Sequence, residues 1–201
     1  MGWDVDWGLE AWTIPAGIWN HTGTHIDAVL RIAEAGGGYV QTHMHDPRLL
    51  IQPRYPVAPW HWASEDPAIV LPEDVCETES VEWTERPDYN AVWVSGQEQG
   101  RRDRIRKVGS AADRYAPSIV DPLATATTMT RQRGLAILGD TGKQAHITVR
   151  LPVLPETGII LPGQLIEYTA LGETHRGITR GVDVRHDHPA LWQSVRIESH
   201  E

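Results

Sequence analysis

The stretch "GGGYVQTHMHDP", Gly36 to Pro47, sets His43 and His45 one residue apart beside Asp46. Side chains alternate along extended chain, so the two imidazoles share a side and could hold one transition-metal ion. Zinc needs at least one further protein ligand. His21, His25 and His61 lie within sequence reach, but no spacing fixes them nearby. "RHDH" repeats the pattern at His186 and His188. Two solvated hairpin tips explain both pairs without an ion. Cys76 is alone, so no disulfide can form within the chain. Its acidic surroundings, "PEDVCETE", should raise its pKa and make it a poor nucleophile. "RRDRIRK", Arg101 to Lys107, reads as a solvated strand or an anion site, and Glu77 and Glu79 as a solvated strand edge. The sequence holds no G-x-S-x-G elbow, no phosphate-binding P-loop and no H-E-x-x-H.

"HTGTHID", His21 to Asp27, resembles the core of the cyclase or kynurenine-formamidase family of metal-dependent hydrolases, whose motif is H-x-G-T-H-x-D-x-P-x-H. The resemblance implies His21, His25 and Asp27 as ligands. Val29 stands in the proline slot and Arg31 in the slot of the final, basic histidine. Arginine cannot act as a base near neutral pH. The residues also read as a loop followed by a capped helix.

The elements that must position these side chains begin with that helix. Ile26, Val29, Leu30 and Ala33 recur at i, i+3, i+4, i+7. Thr24 can cap it, Asp27 favours its positive end, and Gly36 is expected to supply a left-handed stop. Tyr39 to Thr42 reads as a strand, His43 to Pro47 as a turn and Arg48 to Gln52 as the return strand. The helix should lie on one face of this hairpin. Five prolines between residues 53 and 74 argue against regular structure there and suggest a boundary. Beyond it, "SVEWTE", "YNAVWVSGQ" and "RIRKVG" read as strands with glycine-containing turns. One helix follows across "PLATATTMTRQRGLAILGD", ending near Gly139. Gly134 weakens that helix by ~1 kcal/mol relative to alanine. "QAHITVRLPV", with Ile147, Val149 and Leu151 inward, "GQLIEYT", "HRGITRGVDVRHD" and "LWQSVRIESH" complete a set of short strands. The expected division is a helix and hairpin module at 1–58, a connector at 59–77 and a strand-rich domain at 78–201.

The chain has 201 residues and a formal charge of −9, from 18 basic and 27 acidic groups. Phosphate binding needs a net basic face, so nucleic acid is not expected as a stable partner. No apolar run approaches the ~20 residues of a membrane span. "MGWDVDWG" lacks the features of a signal peptide. The expectation is a soluble protein made in a cytoplasm. Nine tryptophans, four of them within the first twenty residues, suggest a wide contact surface as well as a core.

Four long stretches resemble one family in order and spacing. They are "AVLRIAEAGGGYVQTHMHDPRLLIQPRYPVAPWHW", "VEWTERPDYNAVWVSGQEQG", "DPLATATTMTRQRGLAILGDTGKQAHITVRLPVLPETGIILPGQLIEY" and the ending "VRIESH". They resemble the C-terminal half of the tail or baseplate hub proteins of long-tailed bacteriophages and prophages. The resemblance implies an α+β, mainly β fold: a small β-barrel-like hub domain with one helix, plus the N-terminal helix and hairpin as an α/β module. It implies a non-enzymatic virion component, located at the tail tip and made in the host cytoplasm. Such a component would form a homotrimeric ring and contact other tail tube and tip proteins. No catalytic, cofactor or metal residue is assigned on this reading. The alternatives are the hydrolase using HTGTHID and a sugar-binding module using Trp60 or Trp62.

Overall fold

The structure, a computed structural model, describes residues 2–71, 73–97, 101–170 and 172–200. In chain order the elements are β1 (Asp4–Trp7), α1 (His25–Ala35), β2 (Gly38–Thr42), β3 (Arg48–Pro53), β4 (Ile69–Val70), β5 (Glu77–Glu85), β6 (Ala91–Ser95) and β7 (Arg102–Arg106). They continue with β8 (Ile119–Val120), α2 (Thr127–Gly139), β9 (Lys143–Pro152), β10 (Leu165–Ala170), β11 (Glu173–Asp187) and β12 (Ala190–His200). The fold is α+β and mainly β. Its contacts divide the chain into two compact units, each assembled from two segments: Met1–Pro56 with Asp88–Asp140, and Val57–Pro87 with Thr141–Glu201. That partition differs from the composition-based bounds 1–58, 59–77 and 78–201. The difference comes from packing between distant segments, which composition does not carry. Strands β6 to β8 and helix α2 belong with the N-terminal helix and hairpin, and the proline-rich segment belongs with the large sheet.

The first unit contains two three-stranded sheets, ordered β1-β3-β2 and β7-β6-β8. Each has a central strand with one parallel and one antiparallel neighbour. The hairpin of β2 and β3 falls where expected, with each strand one residue longer than read, whereas β1, with only four residues, was not expected. Helix α1 starts on the expected cap. Thr24 Oγ1 accepts from Asp27 N–H at 3.3 Å, and Asp27 Oδ2 accepts from Thr24 N–H at 3.1 Å, a reciprocal capping box. Ala33 packs with Ile51 and Leu9 to close the local core. The left-handed stop falls one residue later than expected. Gly36 has φ −74°, and Gly37 takes φ +76°. Gly36 answers a different need: a Cβ there would lie 2.9 Å from Leu9 Cδ1.

Helix α2 has the expected end, Gly139, but an unexpected setting. Its buried residues include Met129, Thr130, Gly134, Ala136 and Leu138, which are spread around the helix rather than along one stripe. Glycines make the close approaches possible. A Cβ on Gly134 would lie 2.6 Å from Ile105 of β7, and one on Gly37 would lie 2.8 Å from the Gln132 carbonyl. Gly134 therefore admits β7 against the helix, and the propensity loss is offset by packing.

The second unit is one six-stranded sheet, ordered β4-β10-β11-β12-β9-β5. Ile147, Val149 and Leu151 point inward as expected, and join Ile166, Tyr168, Val195 and Ile197 in its core. The strand-rich region expected to be β-barrel-like is an open sheet in the single chain. Among the described residues β4 and β5 are unjoined edges. The prolines do not forbid regular structure throughout residues 53–74: a 3-10 segment (Pro59–Ser64) and strand β4 lie there. Pro72 and residues 98–100, where a turn was expected, lie outside the described residues. Buried Gln193 pins the loop before β10, donating to the Gly158 carbonyl at 3.0 Å and accepting from Ile160 N–H at 3.0 Å.

Candidate functional site

The histidine pair at the hairpin tip is used by the turn itself. His43 Nδ1 accepts from the backbone N–H groups of Asp46 at 3.1 Å and His45 at 3.3 Å. The carboxylate of Asp46 lies 3.3 Å from the same nitrogen. An imidazole nitrogen engaged with two amide donors does not present its lone pair to a metal. The second pair, His186 and His188, flanks the turn between β11 and β12, with ring centroids 6.3 Å apart. Among the described residues, no three His, Cys, Asp or Glu side chains gather in a set that could hold a metal ion.

The HTGTHID residues also have local work. Asp27 Oδ2 accepts from the Thr24 hydroxyl at 2.6 Å, in addition to the backbone bond of the cap. These bonds hold its carboxyl below the ordinary value, with the Thr24 hydroxyl as the largest cause. His21 lies beside the Trp19 ring at 5.7 Å, and His25 is exposed at the first position of α1. Arg31, in the motif's final histidine slot, makes a 2.7 Å ion pair with Asp121, whose side chain is nearly buried. Asp121 Oδ1 also accepts from Leu123 N–H at 2.9 Å. Arg31 thus ties α1 to the segment leading into α2. The periodicity of α1 gives no sign of that tie, because Asp121 is ninety positions away.

Burial pushes the Cys76 thiol up from its ordinary value. The direction is the expected one, but desolvation is the cause rather than the neighbouring carboxylates. The cluster Arg101–Lys107 is largely strand β7. Arg101 pairs with Asp103 at 3.1 Å, and Lys107 with Asp88 at 3.0 Å. The Arg102 guanidinium stands 4.4 Å over the Trp93 ring, and that of Arg104 stands 5.3 Å from Tyr115 while donating to the Ala112 carbonyl. Asp103 in turn accepts from Thr130 of α2 at 2.6 Å. Glu77 and Glu79 are exposed on edge strand β5.

Two clefts were not anticipated. One, of about 590 Å³ in the first unit, is lined by Trp7, Tyr55, Arg131, Gln132 and neighbouring residues. The other, of about 370 Å³ in the second unit, is lined by Trp62, Glu167, His175, Arg176 and His200 among others. In it Arg176 pairs with Glu167 at 2.9 Å and donates to the carbonyls of Trp62, Ala63 and Glu65. Trp62 is buried against the edge of His200, with ring centroids at 5.1 Å, and donates to the Val57 carbonyl at 2.9 Å. It is therefore a packing residue and has no free face for a sugar ring. These contacts close the 3-10 segment onto the sheet. The groups that sequence reasoning singled out are thus caps, ties and edges.

The class so defined is a mainly β α+β protein with two small α/β sheets in one unit and one open six-stranded sheet in the other. That fold is found in phage tail proteins. The chain superimposes on the tail protein from Neisseria meningitidis MC58 with a TM-score of 0.54 at 17% identity, over 98% of this chain and 61% of that one. It superimposes on the 43 kDa tail protein of prophage MuSo2 from Shewanella oneidensis with a TM-score of 0.50 at 14% identity, over 97% and 59%. The chain thus spans about three fifths of each of these proteins. No family profile and no curated protein matches the sequence.

Proposed function

We propose that the chain is a structural component of a phage tail tip or baseplate hub, built into the virion by association with copies of itself and with other tail proteins. The observation that carries the reading is the fold shared with two tail proteins over nearly the whole of this chain. Exposed apolar side chains on strand edges agree with it. Trp3 and Val5 at β1, Val70 in β4 and Val120 in β8 are all more than half exposed in the single chain. Neighbouring subunits cover such surface in assemblies. A homotrimeric ring around the tail axis is the arrangement we favour. A net charge of −9 suits a ring through which DNA passes without sticking, because phosphate is repelled. The chain's role is mechanical rather than enzymatic.

Light scattering and negative-stain imaging of the purified chain test this reading. A closed oligomer, or uptake of the chain into tails assembled without it, is the expected result. A persistent monomer that no tail preparation takes up would overturn it.

A further inference from the structure

Two sheet edges of opposite charge, one in each unit, have no further strand beside them among the described residues. Strand β7 is an edge of the β7-β6-β8 sheet, and β5 an edge of the six-stranded sheet. Arg101 to Lys107 holds five basic residues and one acidic. Arg102, Arg104 and Arg106 alternate on the exposed face of β7. Among the described residues none of the three has a carboxylate partner. The rings of Trp93 and Tyr115 beneath Arg102 and Arg104 orient the guanidinium groups without neutralising them. Residues 73–85, by contrast, hold six acidic residues and no basic one. Glu77, Glu79, Glu82 and Glu85 are all exposed along β5.

An open strand offers unpaired N–H and C=O groups to any other strand, and a like-charged edge repels its own kind. Edges of opposite charge repel like edges and attract each other. We infer that β5 of one copy docks on the β7 edge of a second copy, with the glutamates against Arg102, Arg104 and Arg106. The two edges lie on different units, so the contact is head to tail and every copy uses both. Such contacts close into a ring when the rotation permits. The inference rests on the proposed self-association and names the surfaces that carry it.

Charge reversal tests it. R102E with R106E leaves two glutamates and one arginine on the exposed face of β7, and E79K with E82K puts two lysines at the centre of the β5 edge. Each pair should weaken self-association roughly tenfold or more, because like charges then face each other. The four-substitution chain sets the new glutamates of β7 against the new lysines of β5 and should recover the wild-type mass by sedimentation. The two paired variants, each alone a monomer, should co-assemble when mixed. Circular dichroism of each chain separates lost association from lost folding. Wild-type oligomers that persist in both paired variants would overturn the inference and leave the tail reading intact. So would a well-folded four-substitution chain that stays monomeric. Reversals that leave the oligomer intact but abolish uptake into tails would assign β7 to another tail protein, and would also overturn it. A wild-type chain that is monomeric at low salt and is refused by tails would instead sink the tail reading itself.

Discussion

Helices α1 and α2 lie in the same unit and have similar lengths, yet only one displays its setting in its sequence. Helix α1 sets Val29 and Ala33 against the hairpin and leaves Ile26 and Leu30 partly in water. Its apolar residues therefore recur with the helical period, and its capping box is written in Thr24 and Asp27. Helix α2 is buried on several sides, with Gly134 against β7 and the Gln132–Ala136 turn against Gly37. A helix covered all round needs no apolar stripe. It needs small residues where neighbours approach, and a glycine in that role resembles a helix breaker. One-sided burial is legible in a sequence, whereas burial on several sides is recorded as size at individual positions.

Gly37 joins the two helices and offers the most severe test. Its φ of +76° disfavours any side chain, and a Cβ would lie 2.8 Å from the Gln132 carbonyl and 2.9 Å from Ala136 Cβ. A left-handed residue costs about 1–2 kcal/mol and overpacking about 1–3. Gly37→Val should therefore destabilise the first unit by about 3 kcal/mol. Hydrogen exchange should show faster opening of α1 and α2, with β9 to β12 protected as before. Wild-type protection in α2 would show that Gly37 does not link the helices.

Gly134 separates the two accounts of α2 by sign. If propensity decides, Gly134→Val gains roughly half a kcal/mol. If contact with Ile105 decides, the Cβ has no room at 2.6 Å and the variant loses about 2 kcal/mol. Urea denaturation followed by exchange at α2 amides reads the sign directly. We expect the loss, and we expect it to shrink in G134V with I105A, because the two side chains share the space.

The same contrast explains what could be read from the chain in advance. The hairpin of β2 and β3, α1 and the inward residues of β9 follow local period and turn chemistry, so they were legible to within a residue. Strand β1 has four residues, two of them aspartates, and pairs in parallel with β3 more than forty positions away. The two-residue strands β4 and β8 are also set by distant partners. Nothing local could mark them, and the two-segment assembly of each unit was hidden for the same reason. The candidate site residues were visible as types, but not as roles. Arg31 and Asp27 stood in a hydrolase-like string, and only long-range geometry turns Arg31 into a tie to Asp121.

The cap of α1 gives a smaller, pH-dependent effect. Thr24→Ala removes both bonds that the hydroxyl makes and should lower stability by about 1 kcal/mol. The Asp27 carboxyl is held below its unfolded value. Its contribution is therefore complete above the unfolded pKa of about 4 and is lost as pH falls through the lower folded value. The gap between wild type and T24A, measured by denaturation from neutral pH downward, should narrow in that acid range. A gap that stays constant to the lowest pH would mean that the carboxylate is not part of the cap.

The smallest effect should come from His43, and it decides between the two uses of the hairpin tip. His43 is partly exposed and accepts from two amides that water can also reach, so His43→Ala should cost no more than about 0.5–1 kcal/mol. Its removal should loosen the tip between β2 and β3 while the strand register stays the same. Zinc added to the wild-type chain should not raise its stability, because the Nδ1 lone pair already faces the turn and no third ligand stands near it among the described residues. A zinc-dependent gain that vanishes in H43A and appears only in the oligomer would show that a neighbouring copy supplies the missing ligand. The tip would then be a joint between copies, where in the single chain it is a self-satisfied turn.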